Sequence, residues 1–206
     1  MKILDNFLPA NEWQVLHDNL TSDTFPWMMG DAVRQGTETV PDKYNWQLYH
    51  LFYYNPNIIS EAMPILNDLY TKLRVGTFMK AKANVNFVTS EIIEHGLHTD
   101  IEPQSLGEAM TTAIYYVNSN DGYTLFEDGT KVESVANRLV KFPTGLMHTG
   151  TSCTNSPNRL VINFNYIPWR DNKHWQQLMS PEDIKYRQHW EQGMNLPTDS
   201  KGVPIK

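Results

Sequence analysis

The chain has 206 residues, with 23 acidic against 17 basic side chains and a formal charge of −6. No stretch of it is basic, so it lacks the electrostatic footprint that a phosphate backbone requires, and nucleic acid is not an expected partner. A lone cysteine, Cys153, excludes an internal disulfide, and the opening MKILDNFLPANEW has neither the apolar run of a secretory signal nor that of a membrane span. These features lead us to expect a soluble, cytoplasmic enzyme built as one domain over 1–206.

Residues 1–8 read as a short strand, and Pro9 and Asn11 open a helix whose buried stripe is Trp13, Leu16 and Leu20. A second helix is predicted over 58–74, starting near Ser60 so that Pro64 sits in its first turn, with Ile59, Met63, Leu66, Tyr70 and Leu73 on one face. From Gly76 the period changes to two: Met79, Ala81, Ala83, Val85 and Phe87 alternate with Lys80, Lys82, Asn84 and Asn86. Further strands are predicted at TTAIYYVN (111–118), GYTLF (122–126), KVESV (131–135), RLVKF (138–142) and RLVINFNY (159–166). Many short strands at this spacing indicate a sandwich or barrel. Ser180-Pro181-Glu182-Asp183 then starts a helix reaching about Gly193, followed by a loose tail. The predicted order is helical support in 1–75, a β core in 76–168 and a C-terminal helix and tail in 169–206.

The chemistry gathers on four residues. His98 and Asp100 are two apart, so an extended segment projects both to one side while Thr99 points away. His148 comes from a separate strand or its end. Two imidazoles and one carboxylate are the ligand set of the facial triad that holds non-haem Fe(II) with positions left open. Arg159, eleven residues past His148, offers the cationic fork that a dicarboxylate co-substrate needs. A lone His-x-Asp is a frequent accident, and His95 is a nearby competitor; the combination with His148 and Arg159 gives the pattern its weight. Arg159 shares its strand face with Val161, Asn163 and Asn165, as in a polar enclosed pocket. In TTAIYYVN, Thr112, Ile114 and Tyr116 take one face and Ala113, Tyr115 and Val117 the other, and alternation alone leaves open which tyrosine serves the pocket.

Together HTD (98–100), TTAIYYVN (111–118), DGYTLFEDG (121–129), VKFPTGLMHTG (140–150) and NRLVINFNYI (158–167) resemble the catalytic domain of the 2-oxoglutarate/Fe(II)-dependent dioxygenases, specifically the prolyl-4-hydroxylase-like branch. ILDNFLPANEW is similar to that family's amino-terminal region, so the resemblance covers nearly the whole chain. It implies a mainly β fold, a double-stranded β-helix or jelly roll with flanking helices. By the resemblance His98, Asp100 and His148 are the metal ligands, Arg159 pairs with the far carboxylate of 2-oxoglutarate, Tyr116 hydrogen-bonds that carboxylate, and Asn84 and Asn163 add polar groups to the pocket. Fe(II), 2-oxoglutarate and O2 are the implied cofactor and co-substrates, with ascorbate as a supporting reductant. The implied reaction is hydroxylation of a C–H bond with release of succinate and CO2. Two departures stand out: Asp121-Gly122-Tyr123-Thr124 keeps one glycine where relatives often carry Gly-Gly or Gly-Glu, and the interval from His148 to Arg159 is slightly long.

Substrate identity rests on variable loops rather than on fold. A prolyl residue of a protein or peptide is the first expectation, and a free amino acid or other small molecule the second. A metal-binding module or a zinc hydrolase, with Glu94 or Glu102 as base, is the alternative from another class. Residues 25–50 and 88–97 are candidate lids; Trp27, Met28, Met29, Tyr44, Trp46 and Tyr49 either cover a substrate groove or pack the core, and Trp169, Trp175 and Trp190 share that ambiguity.

Overall fold

Runs of alternating apolar and polar residues fold into antiparallel strands in the computed structural model, which describes residues 1–32, 45–100 and 110–169. In chain order these are β1 (Lys2–Leu4), α1 (Ala10–Thr21), β2 (Met28–Gly30), β3 (Gln47–Tyr54), β4 (Asn57–Ile58), a 3-10 turn (Met63–Leu66), α2 (Asn67–Leu73), β5 (Val75–Phe87), β6 (Thr111–Tyr116), β7 (Tyr123–Phe126), β8 (Lys131–Glu133), β9 (Arg138–Pro143), β10 (His148–Gly150) and β11 (Asn158–Pro168). The larger sheet has the order β1-β9-β6-β11-β5-β3-β2, with β4 added to β3, and the smaller has the order β10-β7-β8. Bridges Glu94–Thr151 and His98–His148 lay residues 94–98 along the free edge of β10 as an irregular fourth strand. This is the jelly roll with helical support. Met1–Trp169 forms one compact unit; the predicted helix at 180–193, with Trp175 and Trp190, lies outside the described residues. No helix among the described residues is long and apolar enough to cross a membrane.

Strand parity divides the apolar residues into two cores. Ala81, Ala83, Ala113, Tyr115, Ile162 and Phe164 leave the outer face of the larger sheet and pack with Leu16 and Leu20 of α1 and Leu66, Leu69 and Leu73 of the second helical segment. Each large aliphatic or aromatic side chain so buried contributes roughly 1.5–3 kcal/mol relative to leaving it in water. Ile114, Tyr116, Phe126, Val140, Phe142 and Val161 point the other way and fill one end of the space between the sheets. The remaining inward residues of β5, which are Lys80, Lys82, Asn84 and Asn86, are polar. They line a cavity rather than a second apolar layer.

Residues 58–74 do not form one helix. The backbone N–H groups of Ile59 and Ser60 both donate to Phe52 O, which holds the segment against β3, and Pro64 starts only the 3-10 turn, having no N–H for an earlier helical bond. Helix α2 then runs from Asn67, and Ile59 is exposed while Met63, Leu66, Leu69 and Leu73 are buried. Strand β3 was not predicted because, as an inner strand of the sheet, it buries residues of both faces and shows no clean alternation.

Candidate metal centre and co-substrate pocket

The edge segment and β10 meet at the candidate ligands. His98 N–H donates to His148 O at 2.9 Å and His148 N–H to His98 O at 3.0 Å, so the two histidines occupy directly opposed positions and their rings lie 5.2 Å apart between centroids. Each ring has its Nδ1 3.0 Å from a carbonyl two residues back, Gly96 O for His98 and Leu146 O for His148. A carbonyl only accepts, so Nδ1 carries the proton in both and each Nε2 presents a lone pair. Asp100 Oδ2 lies 3.8 Å from His148 Nε2 and accepts a hydrogen bond of 3.1 Å from Asn165 Nδ2. One ligand atom from each of the three residues falls within 4.8 Å of the others.

Electrostatics keeps these groups in metal-binding form. Burial works to raise the pKa of Asp100, but the charges of Lys80 and His148 and the Asn165 hydrogen bond outweigh it and hold the carboxyl below its ordinary range. Burial pushes the His148 imidazole down, toward the neutral ring. His148 Nε2 is buried and has no hydrogen-bond partner among the described residues. An orphaned lone pair beside an ionised, oriented carboxylate costs free energy unless something electropositive sits there; a divalent cation fits, and the carbonyls and Asn165 orient the ligands as outer partners do in metal sites.

Arg159 is the largest fully buried side chain among the described residues, 2 % exposed. Its Nε donates to Ser134 Oγ at 2.8 Å and its Nη2 to Thr124 Oγ1 at 3.2 Å. Tyr116 donates its hydroxyl to the same Thr124 Oγ1 at 2.8 Å, and the guanidinium carbon lies 5.6 Å from the Tyr116 ring centroid. Two close glycines make room: a Cβ on Gly122 would fall 2.6 Å from Arg159 Cδ and one on Gly150 3.3 Å from Nη1. No carboxylate pairs with this guanidinium among the described residues. A buried cation is expensive without a compensating anion, and the described residues supply no carboxylate to it.

Arg159, His98, Asp100 and His148 all line one cavity of about 1330 Å³. Asn84 and Asn163 line it too, each with a buried Oδ1 that has no partner among the described residues. Tyr116 does not reach the cavity wall; its hydroxyl ends on Thr124, which does. A threonine oxygen has two lone pairs, and here both accept, from Tyr116 and from Arg159, so the Thr124 O–H remains as a donor. Thr124 thus stands between Tyr116 and the cavity. His95 also lines the cavity, and burial, helped by the charge of Arg159, pushes its pKa down to about 4, so it is a neutral ring at pH 7.

Of the candidate lid at 25–50, the described residues Asp31, Ala32 and Gln47 line the cavity. Residues 88–97 belong to the edge of the smaller sheet, and among them only His95 lines the cavity. Trp27 donates its indole N–H to Leu20 O, Trp46 stacks on Phe87 with centroids 5.2 Å apart, and Met28 and Met29 are exposed; Tyr44 lies outside the described residues. Glu94 accepts a hydrogen bond from the Tyr123 hydroxyl at 2.7 Å and is absent from the cavity wall, while Glu102 lies outside the described residues.

No sequence model of a protein family matches the chain, and no curated protein matches it in sequence. Solved structures do. A 2OG-Fe(II) oxygenase family oxidoreductase from Burkholderia pseudomallei superposes with a TM-score of 0.56 at 11 % identity, covering 80 % of this chain and 84 % of that one. This chain shares the jelly-roll fold of that structure. A prolyl hydroxylase from Trichoplax adhaerens, solved with a hypoxia inducible factor oxygen degradation domain peptide fragment, gives 0.52 at 15 % identity over 82 % of this chain and 84 % of that one. Measured against that fold, sequence reading missed Thr124, Ser134 and Asn165 as partners of Arg159 and Asp100. Asn165 was within reach, since it shares the inward parity of Arg159; Thr124 and Ser134 belong to other strands, and nothing local marks them.

Proposed function

We propose that the protein is a 2-oxoglutarate- and Fe(II)-dependent oxygenase that hydroxylates a C–H bond, with a prolyl residue of a protein or peptide as the substrate. The observation that carries this reading is that one cavity is lined both by the His98/Asp100/His148 cluster and by the buried Arg159, which has no carboxylate partner among the described residues. A zinc hydrolase needs a base near the ion and has no use for a sequestered guanidinium. The peptide fragment held by the Trichoplax neighbour supports a peptide substrate.

In this reading His98, Asp100 and His148 would hold Fe(II), and the ion would supply the oxidising chemistry of a reaction in which 2-oxoglutarate leaves as succinate and CO2. The chain's own work is positional. Arg159 and the Thr124 hydroxyl take the far carboxylate of 2-oxoglutarate through charge-assisted hydrogen bonds, and Tyr116 and Ser134 are positioning residues that fix Thr124 and the guanidinium. Asn84 and Asn163 line the same cavity, where their side-chain N–H groups are the atoms able to donate to an oxygen of the co-substrate. Burial of the anchor excludes water and strengthens each of these bonds. The test is succinate release from 2-oxoglutarate in the presence of Fe(II), ascorbate and a panel of prolyl peptides, with mass spectrometry of the peptide. Gain of one oxygen atom on proline is the expected result; oxygen gain only on a free amino acid or other small molecule would replace the prolyl substrate.

A further inference from the structure

The cavity has a second cationic pole that the co-substrate does not use. Lys80 and Lys82 project from the inward face of β5, paired in register with Asn165 and Asn163 of β11, whereas Arg159 pairs with Asn86 on the same strand. At about 3.3 Å per residue, Lys82 and Lys80 stand roughly 13 and 20 Å along β5 from the Arg159 position. The Arg159 guanidinium is held at Ser134 and Thr124, whereas the charge of Lys80 acts on Asp100; a five-carbon diacid with one carboxylate on Arg159 and the other end at the metal ligands has no carboxylate left for either lysine. Resting on the function proposed above, and with the dication in place, Arg159 and the metal are balanced by Asp100 and the two carboxylates of 2-oxoglutarate. Lys80 and Lys82 then share only the Asp100 charge, which that set already uses.

They are poorly compensated by the protein. Lys82 forms no ion pair among the described residues, and its ammonium sits 4.8 Å from the Tyr49 ring centroid. Besides Asp100, the described carboxylate on the wall is Asp31, at an exposed position. Burial, together with the neighbouring charge of Lys80, pushes the Lys82 pKa down to about 8. Two like charges two residues apart on one strand face repel, and an anion set against both relieves that repulsion and the desolvation.

We infer that Lys80 and Lys82 receive a carboxylate of the primary substrate, so that the molecule oxidised is acidic close to its reacting carbon. That carboxylate belongs either to an Asp or Glu beside the target residue of a peptide or to a free amino acid. The test uses wild-type protein, the double variant Lys80→Met/Lys82→Met and the conservative Lys80→Arg/Lys82→Arg, each loaded anaerobically with Fe(II) and 2-oxoglutarate. Binding of three probe pairs is read by calorimetry: Pro-containing pentapeptides flanked by Glu or by Gln, free glutamate or glutamine, and free proline or prolinamide. The expected result is at least one pair in which the acid binds tenfold or more tightly than its neutral counterpart, a preference that falls below twofold in the Met variant and survives in the Arg variant. The peptide pair and the free-acid pairs tell the two sources apart. No acid preference in wild type, whether because nothing binds or because an acid of the chain itself already covers the lysines, overturns the inference, as does a preference that the Met variant retains. The visible charge-transfer band of the Fe(II)/2-oxoglutarate complex separates the two claims: its absence from wild type sinks the oxygenase reading, whereas a normal band with no acid preference sinks only this one.

Discussion

Gly122→Ala puts one methyl group where the anchor passes. The new Cβ would lie 2.5 Å from Ser152 O, 2.6 Å from Arg159 Cδ and 2.8 Å from Asn120 Oδ1, against the ~3.5 Å at which carbon contacts become favourable. Ser152 O is backbone and cannot swing aside, so Arg159 must give way by nearly an ångström. Overpacking of this kind costs about 1–3 kcal/mol, which for a unit of this size lowers Tm by roughly 2–12 °C. The displaced guanidinium also loses alignment with its anion, and one charge-assisted hydrogen bond is worth about 1.5–3 kcal/mol. The Kd for 2-oxoglutarate, titrated on the anaerobic Fe(II) protein, should therefore rise roughly 10- to 150-fold. Gly129→Ala is the control: Gly129 has φ of +84° and nothing within 4 Å of a new Cβ, so it should lose some stability and keep its co-substrate affinity. A Gly122→Ala protein with 2-oxoglutarate affinity within twofold of wild type would refute the close passage of Arg159 as described.

Thr124→Val removes the acceptor shared by Tyr116 and Arg159 together with the hydroxyl assigned to the co-substrate; affinity for 2-oxoglutarate should fall at least tenfold, read by the same titration, while Fe(II) binding alone is unchanged. Asn165→Leu frees Asp100 Oδ2 and should weaken Fe(II) binding about 10- to 100-fold, measured by competition with a chelator. His95 titrates at about 4 when folded and near 6.5 when unfolded, so the unfolded chain binds more protons between those values. Its contribution, at most about 3 kcal/mol, is whole above pH 6.5 and drains as pH falls toward 4; His95→Gln should flatten the pH 4–6.5 dependence of Tm in metal-free protein relative to wild type. Asn137 accepts from Leu8 N–H and the Tyr115 hydroxyl and donates to Leu8 O, each at 2.8 Å; Asn137→Ala should cost about 3 kcal/mol, a Tm loss of roughly 6–12 °C by calorimetry.

Period-two alternation was enough to locate β5, β6, β9 and β11 to within a residue or two at most ends, because each has one face on an apolar core and the other facing the cavity or the second core. The same rule hid β3, which buries residues of both faces, and split the expected helix at 58–74, where contacts to Phe52 O from a neighbouring strand outweigh local helical pattern. At the site, His98 and Asp100 were legible as a pair since i and i+2 share a side, and Arg159 by its parity with Asn163 and Asn165. Thr124 was not: its role comes from accepting Tyr116 and Arg159 at once, a contact across three strands that no local spacing encodes. The inward Lys80 and Lys82 were visible as alternation, yet polar residues on a strand ordinarily mean a solvated face, and only the closed second sheet turns that face into a cavity wall.

The measurement closest to the central claim is anaerobic addition of Fe(II) and 2-oxoglutarate to metal-free protein, followed in the visible region, with His148→Ala and Arg159→Ala alongside. A metal-to-ligand charge-transfer band in wild type, weakened in Arg159→Ala and missing in His148→Ala, is the predicted result. A protein that binds zinc tightly at the same residues but shows no band with Fe(II) and 2-oxoglutarate would contradict it.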